Sequence, residues 1–407
     1  MAVGLSGVLP PLQAVGGIRI SATAAGIRKA GRLDLVLMEI DPGSECAAVF
    51  TRNAFCAAPV TVARRNLATR KPRYLLINTG NANAGTGALG LRGAEECCAA
   101  LAAQAGCDPA EVLPFSTGVI GEPLPVDRIV NGIPAARAAL RAEGWNDAAT
   151  GIMTTDTVPK GVSRRIQLGG HSVTITGIAK GAGMIHPNMA TMLAFIATDA
   201  RLPAELLQRC LQEAVGASFN SITVDGDTST NDACVLVATG ASSAPPLVSD
   251  RDAHYPPLRD AIASVCVELA QAIVRDAEGA TKFITVEAVQ GRDPEECRAV
   301  ANAVALSPLV KTAFFASDPN WGRILAAVGR SGLSDLDVDA ISVYLDEVCI
   351  VRGGGRAPDY TEERGRDVMQ RSEITIRIEL ARGQARACVW TCDFSYDYVR
   401  INAEYRT

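Results

Sequence analysis

Apolar residues fall into two rhythms along this chain: short runs of β-formers, and longer stretches that repeat every three to four positions. The runs Leu35-Val36-Leu37-Met38, Ala47-Ala48-Val49-Phe50, Tyr74-Leu75-Leu76-Ile77 and Met192 to Ala197 predict strands. Alternation on either side of Gly169-Gly170, over 165–168 and 171–178, predicts a hairpin. Helices are expected over 90–105, over 126–143 with Pro134 breaking or kinking it, over 147–152, from Pro203 to Val215, and over 294–306. A further helix is marked by Leu258, Ile262, Val265, Leu269 and Ile273, and Glu278-Gly279 should end it. Residues 221–238 read as strand, acidic loop and strand. Later strands are expected over 283–289, 341–351, 374–380 and 384–391, the last two joined as a hairpin through Gly383. Ile374, Ile376 and Ile378 alternate with Thr375, Arg377 and Glu379, giving one packed and one wet face. The mixture predicts an α/β fold of mixed sheets covered by helices.

A chain of 407 residues can build two domains or one large intertwined one. Its 48% hydrophobic and 20% charged composition is that of a globular protein, and a net charge of −5 argues against nucleic acid or an anionic membrane as main partner. The start has no basic leader, and no apolar run approaches the roughly 20 residues that span a bilayer, so a soluble cytoplasmic protein is expected. Twelve cysteines without a framework spacing read as reduced, mostly buried thiols. Cys388 and Cys392 would share one strand face, but no further cysteine or histidine cluster completes a site, so no metal is expected. Of the three histidines, His171 and His254 sit in turn-like surface segments. His186 alone lies near a chemical motif, and a loop residue bonding to backbone is its plainer reading. This scarcity disfavours Ser-His-Asp and Cys-His mechanisms.

The candidate chemistry centres on the Ala190-Thr191 bond. Before it, 180–190 is rich in glycine and small residues and bears Pro187, so the backbone can turn tightly and expose a peptide bond. After it begins the apolar strand, which places a threonine at a strand's first residue. A threonine hydroxyl needs a nearby base. If the chain is cut before Thr191, the freed α-amine, with an ordinary pKa of about 7.7–8.0, becomes that base. The same hydroxyl can make the cut by attacking the Ala190 carbonyl; the acyl group shifts from nitrogen to oxygen and water resolves the ester.

Other motifs leave alternatives open. The strand end at Asn78-Thr79-Gly80-Asn81-Ala82-Asn83 resembles a phosphate cradle without a P-loop's lysine, or is a turn whose asparagines bond their own backbone. Thr117-Gly118 offers a hydroxyl and an unobstructed N–H for an oxyanion, or is simply a turn. Thr154-Thr155-Asp156-Thr157 can be a capping cluster. Lys180 can meet a substrate carboxylate, depress the amine's pKa through like charge, or be a solvated surface lysine. Asp225, Asp227 and Asp232 lack an EF-hand's distal glutamate and are assigned to turn formation and site architecture, not to a cation. Glu278, an acid at a helix's negative end, is placed against preference and hints at function.

The segment 180–196 resembles the self-processing site of the ornithine acetyltransferases, the bifunctional glutamate N-acetyltransferases of arginine biosynthesis. The resemblance extends to 78–83, 116–121, 153–157, 221–227, 317–323 and 398–405, in order along nearly the whole chain. It implies a layered self-cleaving N-terminal-nucleophile fold with a smaller C-terminal α/β domain. The α chain would be 1–190 and the β chain 191–407, with 191–290 completing the main domain, 291–391 forming the smaller one and 392–407 returning to the active site. It also implies a heterotetramer of two α and two β chains. Thr191 becomes the nucleophile and Thr117 and Gly118 the oxyanion hole, while Thr154, Lys180, Thr191, Glu278, Asn402 and Thr407 bind substrate, Glu278 meeting the amine of ornithine. The implied reaction is ping-pong transfer from N-acetylornithine to glutamate without a cofactor, acetyl-CoA being a candidate second donor. A hydrolase using the same nucleophile, a binding protein whose bond stays intact, and secondary-metabolism relatives of the family are the competing readings.

Overall fold

The computed structural model describes residues 2–186 and 192–404. These residues form two compact units, one of 7–220 with 227–273, the other of 2–6, 221–226 and 274–404.

The larger unit begins with β1 (Ile18–Thr23), β2 (Leu35–Ile40) and β3 (Glu45–Phe50), then α1 (Ala58–Thr69) and β4 (Tyr74–Asn81). It continues through α2 (Gly87–Ala105), β5 (Val112–Val119), α3 (Val126–Ala138), α4 (Trp145–Gly151), β6 (Lys160–Leu168), β7 (His171–Lys180), β8 (Leu193–Thr198), α5 (Ala204–Ala217), β9 (Ala233–Ala238) and α6 (Tyr255–Arg275). Its strands form two sheets, in the orders β1-β2-β4-β5 and β3-β9-β8-β7-β6. Each holds one parallel pair, β4 with β5 and β8 with β9, among antiparallel neighbours. The sheets pack face to face. Val36, Met38, Leu75, Ile77, Leu113 and Phe115 of the first meet Ile178, Leu193, Phe195, Val235 and Val237 of the second in one core. Phe115 and Phe195 meet edge to face across it, with ring centroids 5.1 Å apart.

Both outer faces are covered. Leu35, Leu37, Tyr74, Leu76 and Val112 pack on Cys97, Cys98 and Leu101 of α2 and on Ile129 and Ile133 of α3. On the second sheet a Cβ added at Gly177 would press on Val265 and Leu269, so α6 lies directly over β7. Enclosure on both faces explains why every residue of β8 and β9 is buried and why these strands read as unbroken apolar runs. The fold is α/β, with mixed sheets between helical layers, as expected. The Gly169-Gly170 hairpin is in place too, Leu168 pairing with His171.

The smaller unit runs β10 (Phe283–Gly291), α7 (Pro294–Ala305), α8 (Pro308–Phe315), α9 (Trp321–Gly329), β11 (Ser342–Leu345), β12 (Val348–Arg352), β13 (Gly355–Arg356), α10 (Glu362–Met369), β14 (Glu373–Glu379), β15 (Ala385–Cys392) and α11 (Tyr396–Ala403). Its sheet has the order β13-β12-β11-β14-β10-β15, with Val300, Val304, Phe314 and Ile324 among the side chains packed against its apolar face.

Several local expectations are corrected. β14 and β15 form no hairpin, because β10 lies between them, parallel to β14 and antiparallel to β15. Their connection wraps the end of β10, where the Arg382 and Gly383 amides both donate to Gln290 O, at 2.7 and 2.9 Å. Residues 221–224 make only a bridge at Ile222 to Trp390 rather than a strand. Helix α3 passes through Pro134 but stops at Ala138, and α6 starts at Tyr255 and stops at Arg275, so Glu278 is not at a helix end. Glu278 is therefore not an acid held against a helix's negative end. The segment 308–315, not expected as a helix, is one, opened by the Ser307 cap and Pro308.

Candidate active site

In the larger unit, the ends of β5 and β7, the 153–159 segment and the residues before β9 hold a set of buried polar groups. Lys180 closes β7 at 4% exposure, so it is no surface lysine. Its Nζ donates to Thr117 Oγ1 at 3.1 Å. Thr117 sits in β5 opposite Thr79 of β4, and Gly118 opposite Gly80. Gly118 has φ +135°, and a Cβ there would overlap the Gly80 carbonyl carbon and Asn81 N. Only glycine allows that approach of two strands, so the Thr-Gly pair ends a strand and is not an open turn.

Asp156 fixes two more expected residues. Its Oδ2 accepts from Thr154 N at 2.9 Å, and its Oδ1 accepts from Gly181 N at 2.8 Å and from Lys160 Nζ at 2.7 Å. Both side chains of the Asp156–Lys160 pair are fully buried. Burial alone would raise the Asp156 pKa. The charges of Lys160 and Lys180 and these hydrogen bonds outweigh it and hold the carboxyl well below the usual carboxylate range. One carboxylate thus ties Thr154 to the residue following Lys180.

Asp232 is the opposite case. It is 1% exposed, and burial pushes its carboxyl well above the carboxylate range against the Met192 amide and the Lys180 charge. Its Oδ1 accepts from Met192 N at 3.0 Å. Beside it, Asn231 Nδ2 donates to Ser116 O at 2.9 Å and Ala82 O at 2.6 Å, joining the Asp232 segment to the end of β5. Asp156 and Lys160 are not expected as site residues, and Asn231 and Asp232 only as part of a loop that shapes the site; the buried charges of Asp156, Lys160 and Asp232 belong to distant stretches of chain, so no local pattern shows them together. The asparagines of 78–83 bond backbone instead of forming a cradle: Asn78 Nδ2 donates to Asn81 O, Asn81 Nδ2 to Pro123 O and Asn83 Nδ2 to Gly90 O.

In the smaller unit, Asn402 Nδ2 of α11 donates to Glu278 Oε2 at 2.8 Å, joining two expected substrate residues. Glu278 is 8% exposed. Gly279 beside it has φ +68°, and a Cβ there would strike Tyr398 N and Ser395 Oγ, so α11 rests directly on this turn. Tyr398 stacks on Phe394 and donates from Oη to Asp225 Oδ2 at 3.3 Å. Ala190, Thr191 and Thr407 lie outside the described residues. His171 is exposed and His254 half-buried. Among the described residues no group of histidine, cysteine, aspartate and glutamate is arranged to hold a metal, and no helix is long and apolar enough to cross a membrane.

Residues 19–407 match the family model described as the ArgJ family. The chain is 58% identical over 407 residues to the arginine biosynthesis bifunctional protein ArgJ of Psychrobacter arcticus, covering all of both chains. It is 60% identical over 393 residues to the protein of that name in Methylococcus capsulatus, covering 97% of this chain and 96% of that one. A crystal structure of the ornithine acetyltransferase of Mycobacterium tuberculosis, complexed with ornithine, is 34% identical over 43% of this chain and 95% of that one, with a TM-score of 0.38.

Proposed function

The chain belongs to the ArgJ family, and from that membership we infer that it is an acetyltransferase of arginine biosynthesis, moving the acetyl group of N2-acetyl-L-ornithine to L-glutamate. The observation that carries this reading is the match of 19–407 to the family, with a relative 58% identical from end to end.

The chemistry runs through Thr191. The chain cuts itself at Ala190-Thr191, giving an α chain of 1–190 and a β chain of 191–407. Thr191 Oγ then attacks the acetyl carbonyl of N-acetylornithine while its own α-amine takes the hydroxyl proton. The oxyanion that forms is held by the Thr117 hydroxyl and the Gly118 N–H; the C–N bond breaks, the α-amine returns the proton to the departing nitrogen, and ornithine leaves. Glutamate's amine attacks the acetyl-Thr191 ester by the reverse steps. No cofactor is needed for acyl transfer of this kind. Several features support these roles: Lys180 bonded to Thr117, Asp156 joining Thr154 to the chain after Lys180, and Glu278, paired with Asn402, a carboxylate of the charge that the cationic side chain of ornithine requires. Thr407 completes the substrate residues. Acetyl-CoA as a second donor, a heterotetramer of two α and two β chains, and a cytoplasmic location belong to the same reading.

A donor panel tests it: N-acetylornithine and acetyl-CoA, each with and without glutamate. The reading requires N-acetylglutamate from N-acetylornithine only when glutamate is present. Release of free acetate at the same rate without glutamate would make the protein a hydrolase.

A further inference from the structure

The contact between Lys180 and Thr117 has a direction. An ammonium has three donors and no acceptor, so in this bond Thr117 Oγ1 must be the acceptor, and its own hydrogen must point elsewhere. Among the described residues the hydroxyl has no second partner. Thr117 is also rigidly held. Its backbone is paired with β4, the Ser116 carbonyl before it accepts from Asn231 Nδ2, and Gly118 after it lies against Gly80. A β-branched side chain in a strand has little χ1 freedom. Lys180 in turn is fixed in a buried strand, and the next amide, that of Gly181, is tied to Asp156.

We propose that Lys180 is a positioning residue for acyl transfer: its ammonium holds and polarises the Thr117 hydroxyl, so that the hydroxyl hydrogen is presented to the oxyanion. The inference rests on the acyl-transfer reading above, and adds to it a role exercised through Thr117 rather than on substrate. A donor hydroxyl that itself accepts from a cation in a buried setting is a stronger donor than an isolated one, because each bond polarises the next. Orientation set before the reaction also avoids reorganisation while charge develops. A lysine that only binds a substrate carboxylate would act whether or not Thr117 kept its hydroxyl.

The test is a four-way comparison of wild type, Lys180→Met, Thr117→Val and the double variant, with kcat and KM for N-acetylornithine normalised to the self-cleaved fraction seen by denaturing mass spectrometry. Loss of one oxyanion donor costs about 10²–10³ in rate, so Thr117→Val should lower kcat by that factor and Lys180→Met by about 10–10² with KM changed by less than about threefold. In the Thr117→Val background, Lys180→Met should change kcat by less than about threefold. Equal kcat losses in both backgrounds, or an effect of Lys180→Met confined to KM, would overturn the proposal. An unaltered kcat in Thr117→Val would instead defeat the oxyanion assignment. If Lys180→Met does not fold, Lys180→Arg, which keeps a displaced donor, enters the same comparison under the same criteria. If the substitutions stop self-cleavage, the rate of that cleavage becomes the quantity compared.

Discussion

Asp232 Oδ1 accepts the amide of Met192 at 3.0 Å, binding the peptide that follows position 191 to the residue that precedes β9. The acceptor is a buried carboxyl with its pKa pushed well above 3.8. Because the folded value exceeds the unfolded one, folding takes up a proton in the window between them. The contribution is greatest below pH 3.8 and is lost as pH rises through the window. Asp232→Asn keeps an acceptor for Met192 N but does not titrate. Its melting temperature relative to wild type should therefore rise with pH above that value. A pH-independent difference in a calorimetric series would contradict this. Asp232→Ala should lose a further 1–3 kcal/mol, roughly the cost of stranding a buried donor.

Asp156 should behave in the opposite sense. Its pKa is depressed, so its stabilisation is present above 3.8 and is lost as pH falls below that value. Asp156→Asn removes the Asp156 charge from its buried pair with the Lys160 ammonium, which costs about 3–5 kcal/mol. Urea unfolding at neutral pH should show this loss, and the difference from wild type should narrow on acidification. Unchanged midpoints would mean the pair is not stabilising.

Gly118→Ala should damage the fold before it affects chemistry. With φ +135° and the Gly80 carbonyl in the path of a Cβ, the cost should be roughly 3 kcal/mol or more. Gly216→Ala in α5, where a Cβ meets open space, should instead gain about 0.5–1 kcal/mol. Thermal melts of both variants check the contrast, and equal effects would refute it.

Much of this was legible in local pattern, and what was not has a common cause. The runs that became β2, β4 and β8 and the Gly169-Gly170 hairpin were readable because burial and turn chemistry act within a few residues. The pairing of β14 was not, since its neighbour β10 comes from much earlier in the chain and no local pattern encodes register between distant strands. The same holds for the site. Thr117, Gly118 and Lys180 were singled out, but the groups that interact with Lys180, namely Thr117 by a hydrogen bond and Asp156 and Asp232 through its charge, each lie on a different segment. Asp232 read only as part of a loop of turns and site architecture because its partner, the Met192 amide, belongs to a distant stretch of chain.

The Glu278–Asn402 bond predicts a division between binding and turnover. Glu278→Gln should raise KM for N-acetylornithine tenfold or more, about 1.4 kcal/mol of binding, with a smaller effect on an acyl donor lacking the side-chain amine. Asn402→Ala should act in the same direction more weakly. Steady-state kinetics with both donors check this, and a Glu278→Gln enzyme with an unchanged KM for N-acetylornithine would remove Glu278 from the pocket.

For acetyl transfer of this kind Thr191 must be freed by self-cleavage and must then carry the acetyl group. Denaturing mass spectrometry of protein incubated with N-acetylornithine and no glutamate addresses both parts at once. The expected spectrum has two fragments whose masses sum to the intact chain plus one water, with one acetyl group added to the 191–407 fragment and localised to Thr191. A single uncut chain in fully active protein, or an acetyl group on any other residue, would contradict it.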